Sequence, residues 1–187
     1  MDINIIIPTC NEEANIGQLI TYLQQHSAAE IIVANSPDTT DATAAIAQQA
    51  GATVIACPQA GRAAQMNFAT QQTRSELLYF VHADTLPPPS FVADIQQALA
   101  TDYSLGYFSY RFTSDRWLLK INSYFTRYNG LFAGGGDQTL FIRRCVFDQL
   151  RGFDESLRLM EDFDLVARAV RAGFQPCLIP NNKAVKQ

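Results

Sequence analysis

Apolar runs of strand length alternate with stretches of helical periodicity through more than half of this chain, and no other feature restricts its possible folds as sharply. Ile3 to Ile7 is mostly isoleucine and ends at Pro8, the pattern of a strand covered on both faces. Asn11-Glu12-Glu13 is read as the opening of a helix, because Ile16, Leu19, Ile20 and Leu23 then fall at i, i+3, i+4 and i+7, which is one helical face. Ile31 to Val33 is a second strand. Asp38-Thr39-Thr40-Asp41 supplies turn and capping residues for an Ala-rich helix that runs to about Gln49 and stops at Gly51. Thr53 to Ala56 is a third strand, and a third helix starts within Gly61 to Asn67. Leu77 to Val81 is a fourth strand. Ser90 then caps a helix with Phe91, Val92, Ile95 and Leu99 inward. This β-α-β-α-β-α-β order predicts an α/β domain with a mostly parallel central sheet and helices on both faces.

The remainder is less regular. Tyr103 to Phe112 reads as a longer strand. Ser114 to about Tyr128 reads as a helix with Trp117, Ile121, Phe125 and Tyr128 on one side, and Gly134-Gly135-Gly136 breaks the pattern. Gln138 to Arg143 is expected as a strand and Arg144 to Leu150 as a short helix. Glu161 to Ala172 is expected as a helix with Phe163, Val166 and Val170 inward, and Gln175 to Ile179 as a last strand. A length of 187 residues suits one domain, residues 1–180, with a polar tail at 181–187 that frays.

Composition excludes several classes. With 48% hydrophobic and 17% charged residues the chain can build a core and is not a disordered segment. Its net charge is −4, and it has no basic run able to track a phosphate backbone, so nucleic acid is not an expected partner. Cys10, Cys57, Cys145 and Cys177 are scattered without a C-x-x-C pair, which argues against a zinc site and for reduced thiols in the cytoplasm. No charged leader precedes Ile3, so no signal peptide is expected, and no run reaches the roughly 20 apolar residues of a membrane span.

In open parallel sheets, ligands bind beyond the carboxyl ends of the strands. Thr9, Asn11 and Glu12 follow the first strand, Asn35 and Ser36 the second, Gly61 and Arg62 the third, and His82 and Asp84 the fourth. Each has a plainer role available. Asn11 and Glu12 suit a helix cap, Asn35 to Asp38 a turn, Arg62 the surface, His82 a packed histidine and Asp84 the shaping of a loop. It is their placement along one edge that points to a grip for a base, a ribose and a metal-bound diphosphate.

Several of these segments carry a resemblance. Ile5-Ile6-Ile7-Pro8-Thr9-Cys10-Asn11-Glu12-Glu13, Glu30-Ile31-Ile32-Val33, Gly61 to Asn67 and Phe80-Val81-His82-Ala83-Asp84-Thr85 occur in that order. Gly136-Asp137-Gln138, Phe141-Ile142-Arg143-Arg144 and Leu159-Met160-Glu161-Asp162 follow. Over residues 3 to 180 the chain resembles family 2 glycosyltransferases, and within them the small bacterial arsenosugar-biosynthesis-type subgroup. The resemblance implies a single GT-A (Rossmann-like) domain. It also implies an inverting transfer of a sugar from a nucleotide-sugar donor, UDP-linked as the family default, to the hydroxyl of an unidentified acceptor.

The resemblance also implies roles. Pro8, Thr9, Glu12, Asn35, Arg62 and Asp84 would line the nucleotide-sugar pocket. Asn35 stands where the family usually has an acid, but an amide still has donors and acceptors for a base edge, and Asp38 or Asp41 offers a nearby charge. His82-x-Asp84 stands at the family's Asp-x-Asp metal motif, with Asp84 the main ligand and His82 the second for a divalent cation, Mn²⁺ or Mg²⁺. Asp162 is the expected general base, with Glu161 as the alternate. Gly135, Gly136 and Asp137 would face the acceptor. Peripheral membrane contact is compatible with the resemblance, and Val185-Lys186-Gln187 supplies no further metal ligand. Two other readings stand beside this one: a degenerate domain that binds a nucleotide or sugar without turnover, and a nucleotidyltransferase. The second normally needs a Gly-rich basic loop where Pro8-Thr9-Cys10-Asn11 stands.

Overall fold

The computed structural model describes residues 2–108, 111–112, 139–180 and 185–186. In chain order the elements are β1 (Ile3–Thr9), α1 (Ile16–His26), β2 (Glu30–Asn35), α2 (Thr43–Gln49), β3 (Thr53–Ala56), α3 (Arg62–Gln71), β4 (Leu77–Phe80), β5 (Thr85–Leu86) and α4 (Phe91–Leu99). They continue with β6 (Leu105–Phe108), β7 (Arg111–Phe112), β8 (Leu140–Arg143), α5 (Arg144–Gln149), α6 (Glu161–Arg171), β9 (Pro176–Ile179) and β10 (Val185–Lys186).

Seven strands form one sheet in the order β3-β2-β1-β4-β8-β6-β9. All neighbouring pairs are parallel except those made by β8, which runs antiparallel to both β4 and β6. The sheet is therefore mostly parallel, as its alternating elements predict. Burial on both faces follows from the strand residues. Ile5, Ile7, Val33, Leu77 and Tyr79 pack under α1, α2 and α4. Ile6, Ile32, Leu78 and Phe80 pack under α3, α5 and α6. Successive side chains of a strand point to opposite faces, so a strand covered on both sides must be apolar throughout, and Ile5, Ile6 and Ile7 are all 0% exposed.

The strand order fixes where a ligand can enter. From β1 the chain steps outward through β2 to β3, then returns to place β4 on the other side of β1. The connections beyond the carboxyl ends of β1 and β4 consequently leave in opposite directions and open a crevice between them.

Several expectations need correction. Asn11-Glu12-Glu13 does not open a helix. Asn11 adopts a left-handed φ of 56° and a turn follows, with the Glu12 carbonyl accepting from the Ile16 amide where α1 begins. The turn is tied to the loop after β2: the Thr40 amide donates to Asn11, the Ala42 amide to Glu13, and the Glu13 amide to Asp41. The strand expected over Tyr103 to Phe112 is described as two pieces, β6 and β7. Of the inward face expected for α6, Val166 does pack against the core, but Phe163 is only partly buried and Val170 is not inward. Glu161, Asp162, Leu165 and Ala169 are buried there, while Val170 is 54% exposed. Within the stretch expected as a polar tail, Val185 and Lys186 form β10, which pairs antiparallel with β5 and parallel with β7. The helix expected over Ser114 to Tyr128 lies outside the described residues.

Candidate active site

At the crevice between β1 and β4 lies a cavity of about 190 Å³. Pro8, Thr9, Cys10 and Glu12 from the end of β1 form one wall, and His82, Ala83 and Asp84 from the end of β4 form another. Arg62 and Gln65, one turn apart on α3, complete it. Thus Pro8, Thr9, Glu12, Arg62, His82 and Asp84, singled out from the sequence, meet at one place.

Each side chain is held by its surroundings. The Thr9 hydroxyl donates to the Asn35 side-chain oxygen at 3.0 Å, and the Thr39 hydroxyl donates to the same oxygen at 3.1 Å. Asn35 therefore sits behind Thr9 and is not among the cavity-lining residues. The Glu12 amide donates to the Thr43 hydroxyl at 2.7 Å, and the Glu12 carboxylate accepts from the Asn15 amide group at 3.0 Å. Asp41 braces the same loops; partial desolvation pushes its carboxyl up, but hydrogen bonds from Thr43 and Glu13 outweigh that and hold it below its ordinary value. Asp84 lies within a tight turn in which the Thr85 amide donates to the His82 carbonyl, and its carboxylate accepts from the Thr85 hydroxyl at 3.2 Å.

Gln65 carries no signal in the sequence pattern beyond its place in the Gly61 to Asn67 motif. It is 3% exposed, and its amide donates to the Thr9 carbonyl at 2.9 Å and the Ala34 carbonyl at 2.6 Å. One side chain thereby ties the ends of β1 and β2 to α3. Cys10 and Ala83 also line the cavity without having been singled out.

The start of α6 approaches the cavity from the far half of the sheet. Met160 precedes it with a left-handed φ of 65°, a conformation that costs a non-glycine residue on the order of 1 kcal/mol. Burial switches across this residue: Met160 is 50% exposed, whereas Glu161 and Asp162 are 1% and 5% exposed. Carboxylates are favoured at a helix N-terminus by the unpaired amides there. Arg168 fixes the helix from its other end, pairing with Asp164 at 2.7 Å and donating to the Leu150 and Gly152 carbonyls.

The two carboxylates reach different partners. Glu161 Oε1 lies 2.7 Å from Arg62 Nε, and Arg62 Nη2 donates to Oε2 at 3.2 Å. Asp162 Oδ2 lies 3.6 Å from His82 Nε2. Neither oxygen of Asp162 has a hydrogen-bond partner among the described residues. A buried carboxylate without donors is costly, and such groups concentrate where they have chemical work to do. Gly135, Gly136 and Asp137 lie outside the described residues.

The sequence profile of glycosyl transferase family 2 matches residues 4–156. The chain belongs to that family. No curated protein sequence matches this family 2 chain. Among solved structures it is similar to the mannosyltransferase PcManGT from Pyrobaculum calidifontis in complex with GDP-Man and Mn²⁺. That match has a TM-score of 0.77 at 18% identity and covers 98% of this chain and 56% of that one. It is also similar to glucosyl-3-phosphoglycerate synthase from Mycobacterium tuberculosis in complex with Mn²⁺, uridine diphosphate and phosphoglyceric acid. Here the TM-score is 0.73 at 20% identity, with coverage of 96% and 68%. The S. aureus protein TarS, residues 1–349, gives a TM-score of 0.80 at 17% identity, with coverage of 100% and 60%. At these identities the likeness establishes the GT-A fold, and the chain spans only part of each neighbour's length. Among the described residues no helix is long and apolar enough to cross a membrane, and no group of three or more potential metal-ligating side chains occurs.

Proposed function

We propose that this family 2 chain is an inverting glycosyltransferase that moves a sugar from a nucleotide-sugar donor, UDP-linked, to an acceptor hydroxyl with the help of a divalent cation. The single observation that carries the reading is the buried Asp162 carboxylate. It has no hydrogen-bond partner among the described residues and lies 3.6 Å from His82, which itself lines the cavity with Arg62 and Asp84.

In this reading Pro8, Thr9 and Glu12 form the donor wall. Asn35 acts on the donor wall through Thr9, since its oxygen is shared by the Thr9 and Thr39 hydroxyls and its amide donates to the Ser36 carbonyl. The Arg62 guanidinium faces the diphosphate, to which its planar fork is suited. Asp162 accepts the proton of the acceptor hydroxyl while the acceptor oxygen bonds to the anomeric carbon. The bond from that carbon to the diphosphate oxygen breaks, and the nucleoside diphosphate leaves with the electron pair. Attack opposite the leaving group inverts the anomeric centre. Low exposure of Asp162 keeps water from competing for the proton.

Asp84 and His82 fit a cation only in part. One carboxylate and one imidazole at a cavity wall provide hard and borderline donors, as Mn²⁺ accepts, but they are too few to hold an ion without oxygens from the nucleotide. When bound, the cation would neutralise charge on the departing diphosphate. The solved neighbours crystallised with Mn²⁺ or Mg²⁺ support this assignment. The arsenosugar-type subgroup is the proposed narrower kinship, on the motifs alone.

Calorimetric titration of UDP and GDP with and without Mn²⁺ tests the site. Binding should require the cation, and Asp84→Ala should abolish it or weaken it at least tenfold, to the extent of a lost charge-assisted contact (about 1.5–3 kcal/mol). Metal-dependent affinity that is unchanged in Asp84→Ala would defeat the assignment.

A further inference from the structure

We infer that Glu161 is a positioning residue that aims Arg62 at the donor, so that the two adjacent carboxylates opening α6 have separate tasks. The inference rests on the donor-site reading above. It starts from an electrostatic difficulty. Arg62 is the first residue of α3, following Gly61 with its φ of 117°. A helix N-terminus carries the positive end of the peptide dipoles and disfavours a cation. A guanidinium there needs a carboxylate, or it turns toward solvent. Glu161 supplies one: its Oε2 accepts from Nη2 at 3.2 Å, and its Oε1 lies 2.7 Å from Nε as an ion-pair contact.

The geometry of Glu161 is that of a support. Its side chain is 1% exposed, against 33% for Arg62. It is the first residue of its own helix, so the positive end of α6 stabilises the same charge. Its carboxylate is occupied by the Arg62 guanidinium. Asp162 contacts neither Arg62 nor α3 among the recorded ion pairs and faces His82 instead. The donor cation and the base are thus set by neighbouring residues on one rigid helix.

The test compares Glu161→Gln, Glu161→Asp, Arg62→Ala, Arg62→Ala/Glu161→Gln and Asp162→Asn in the full chain. Kd for UDP with Mn²⁺ is measured by calorimetry, and kcat is measured at saturating donor. Glu161→Gln should raise the nucleotide Kd about tenfold, as Arg62→Ala does, and the double variant should be no weaker than Arg62→Ala alone. Its kcat should stay within about threefold, whereas Asp162→Asn should keep its Kd and lose roughly 10²–10⁴ in kcat. Glu161→Asp, which keeps the charge, should recover part of the affinity even if Glu161→Gln folds poorly. Unchanged Kd with lost turnover in Glu161→Gln would make Glu161 the base and overturn the inference, as would fully multiplicative losses in the double variant. If the wild-type chain binds no nucleotide, the donor-site reading itself fails. The clamp is then read by the NMR shift of the Arg62 Nε–H, which must move on Glu161→Gln, and an unmoved resonance would overturn it.

Discussion

Replacing Gln65 by leucine should separate a residue that merely fills space from one that holds the cavity open. The amide donates to two carbonyls, those of Thr9 and Ala34, from a position that is 3% exposed. Leucine matches the side chain in approximate size but donates nothing. The Thr9 carbonyl keeps a second partner, the Ser36 amide at 2.9 Å, so its loss is near the low end of the range. The shorter bond to Ala34 carries more. With about 1–3 kcal/mol for each buried acceptor left wanting, the sum is about 2–4 kcal/mol. For a domain of this size, about 2–4 °C of Tm accompanies each kcal/mol, so the variant should melt roughly 5–15 °C lower. Urea unfolding should show the same loss with an unchanged slope, because the surface exposed on unfolding is the same. Gln65→Glu should be worse at neutral pH, since it presents two acceptors to two carbonyls. A Tm within about 2 °C of wild type for Gln65→Leu would refute the reasoning, because it would mean that the strand ends hold their places without the amide.

Two further expectations follow from backbone and thiol environments. A Cβ at Gly106 would stand 2.4 Å from the Cys177 carbonyl oxygen and 2.5 Å from the Phe141 ring, so Gly106→Ala should cost about 3 kcal/mol or more in urea unfolding. Gly61→Ala, with no atom within 4 Å but a φ of 117°, should cost only about 1 kcal/mol; equal losses would contradict this division. Burial pushes the Cys57 thiol up to about 11 from 9.0. Because its folded value is raised, its contribution to stability is intact below pH 9 and is lost as pH rises through about 11. A maleimide at pH 8 should accordingly label the exposed Cys10 and Cys145 rapidly and Cys57 only after urea is added; rapid native labelling of Cys57 would contradict its placement.

Much of the cavity wall was legible because strands buried on both faces must be largely apolar, and the polar residues that follow them stand out against that background. Ile3 to Ile7 followed by Thr9 and Glu12, and Leu77 to Phe80 followed by His82 and Asp84, are of this kind. Helix α6 was misread on its face for the converse reason. Apolar periodicity selected Phe163, Val166 and Val170, of which only Val166 packs on the core; the fully buried positions are Glu161, Asp162, Leu165 and Ala169. A pattern that counts apolar residues cannot register a face whose inward positions are charged. Gln65 escaped for a similar reason, since a buried amide between two carbonyls leaves no trace in periodicity. The pairing of Arg62 with Glu161 joins residues 99 apart in sequence, and nothing local to either one announces it.

The antiparallel β8 has a consequence for the order of assembly. Strands β1 to β4 are joined by short crossovers, and their helices lie between sequence neighbours. That unit can form from contacts close in the chain, which are the least costly loops to close. Helix α6 belongs to the other half, which joins the first through the β4–β8 pairing, through packing on α3 and through the Arg62–Glu161 and His82–Asp162 pairs. The cavity wall is thus encoded before residue 85, while the carboxylates that pair with its Arg62 and His82 arrive only when a late, long-range closure is made. During synthesis the nascent chain can complete the cavity wall well before Glu161 and Asp162 have left the ribosome. In refolding, the return of turnover is accordingly a report on the last part of the topology to close.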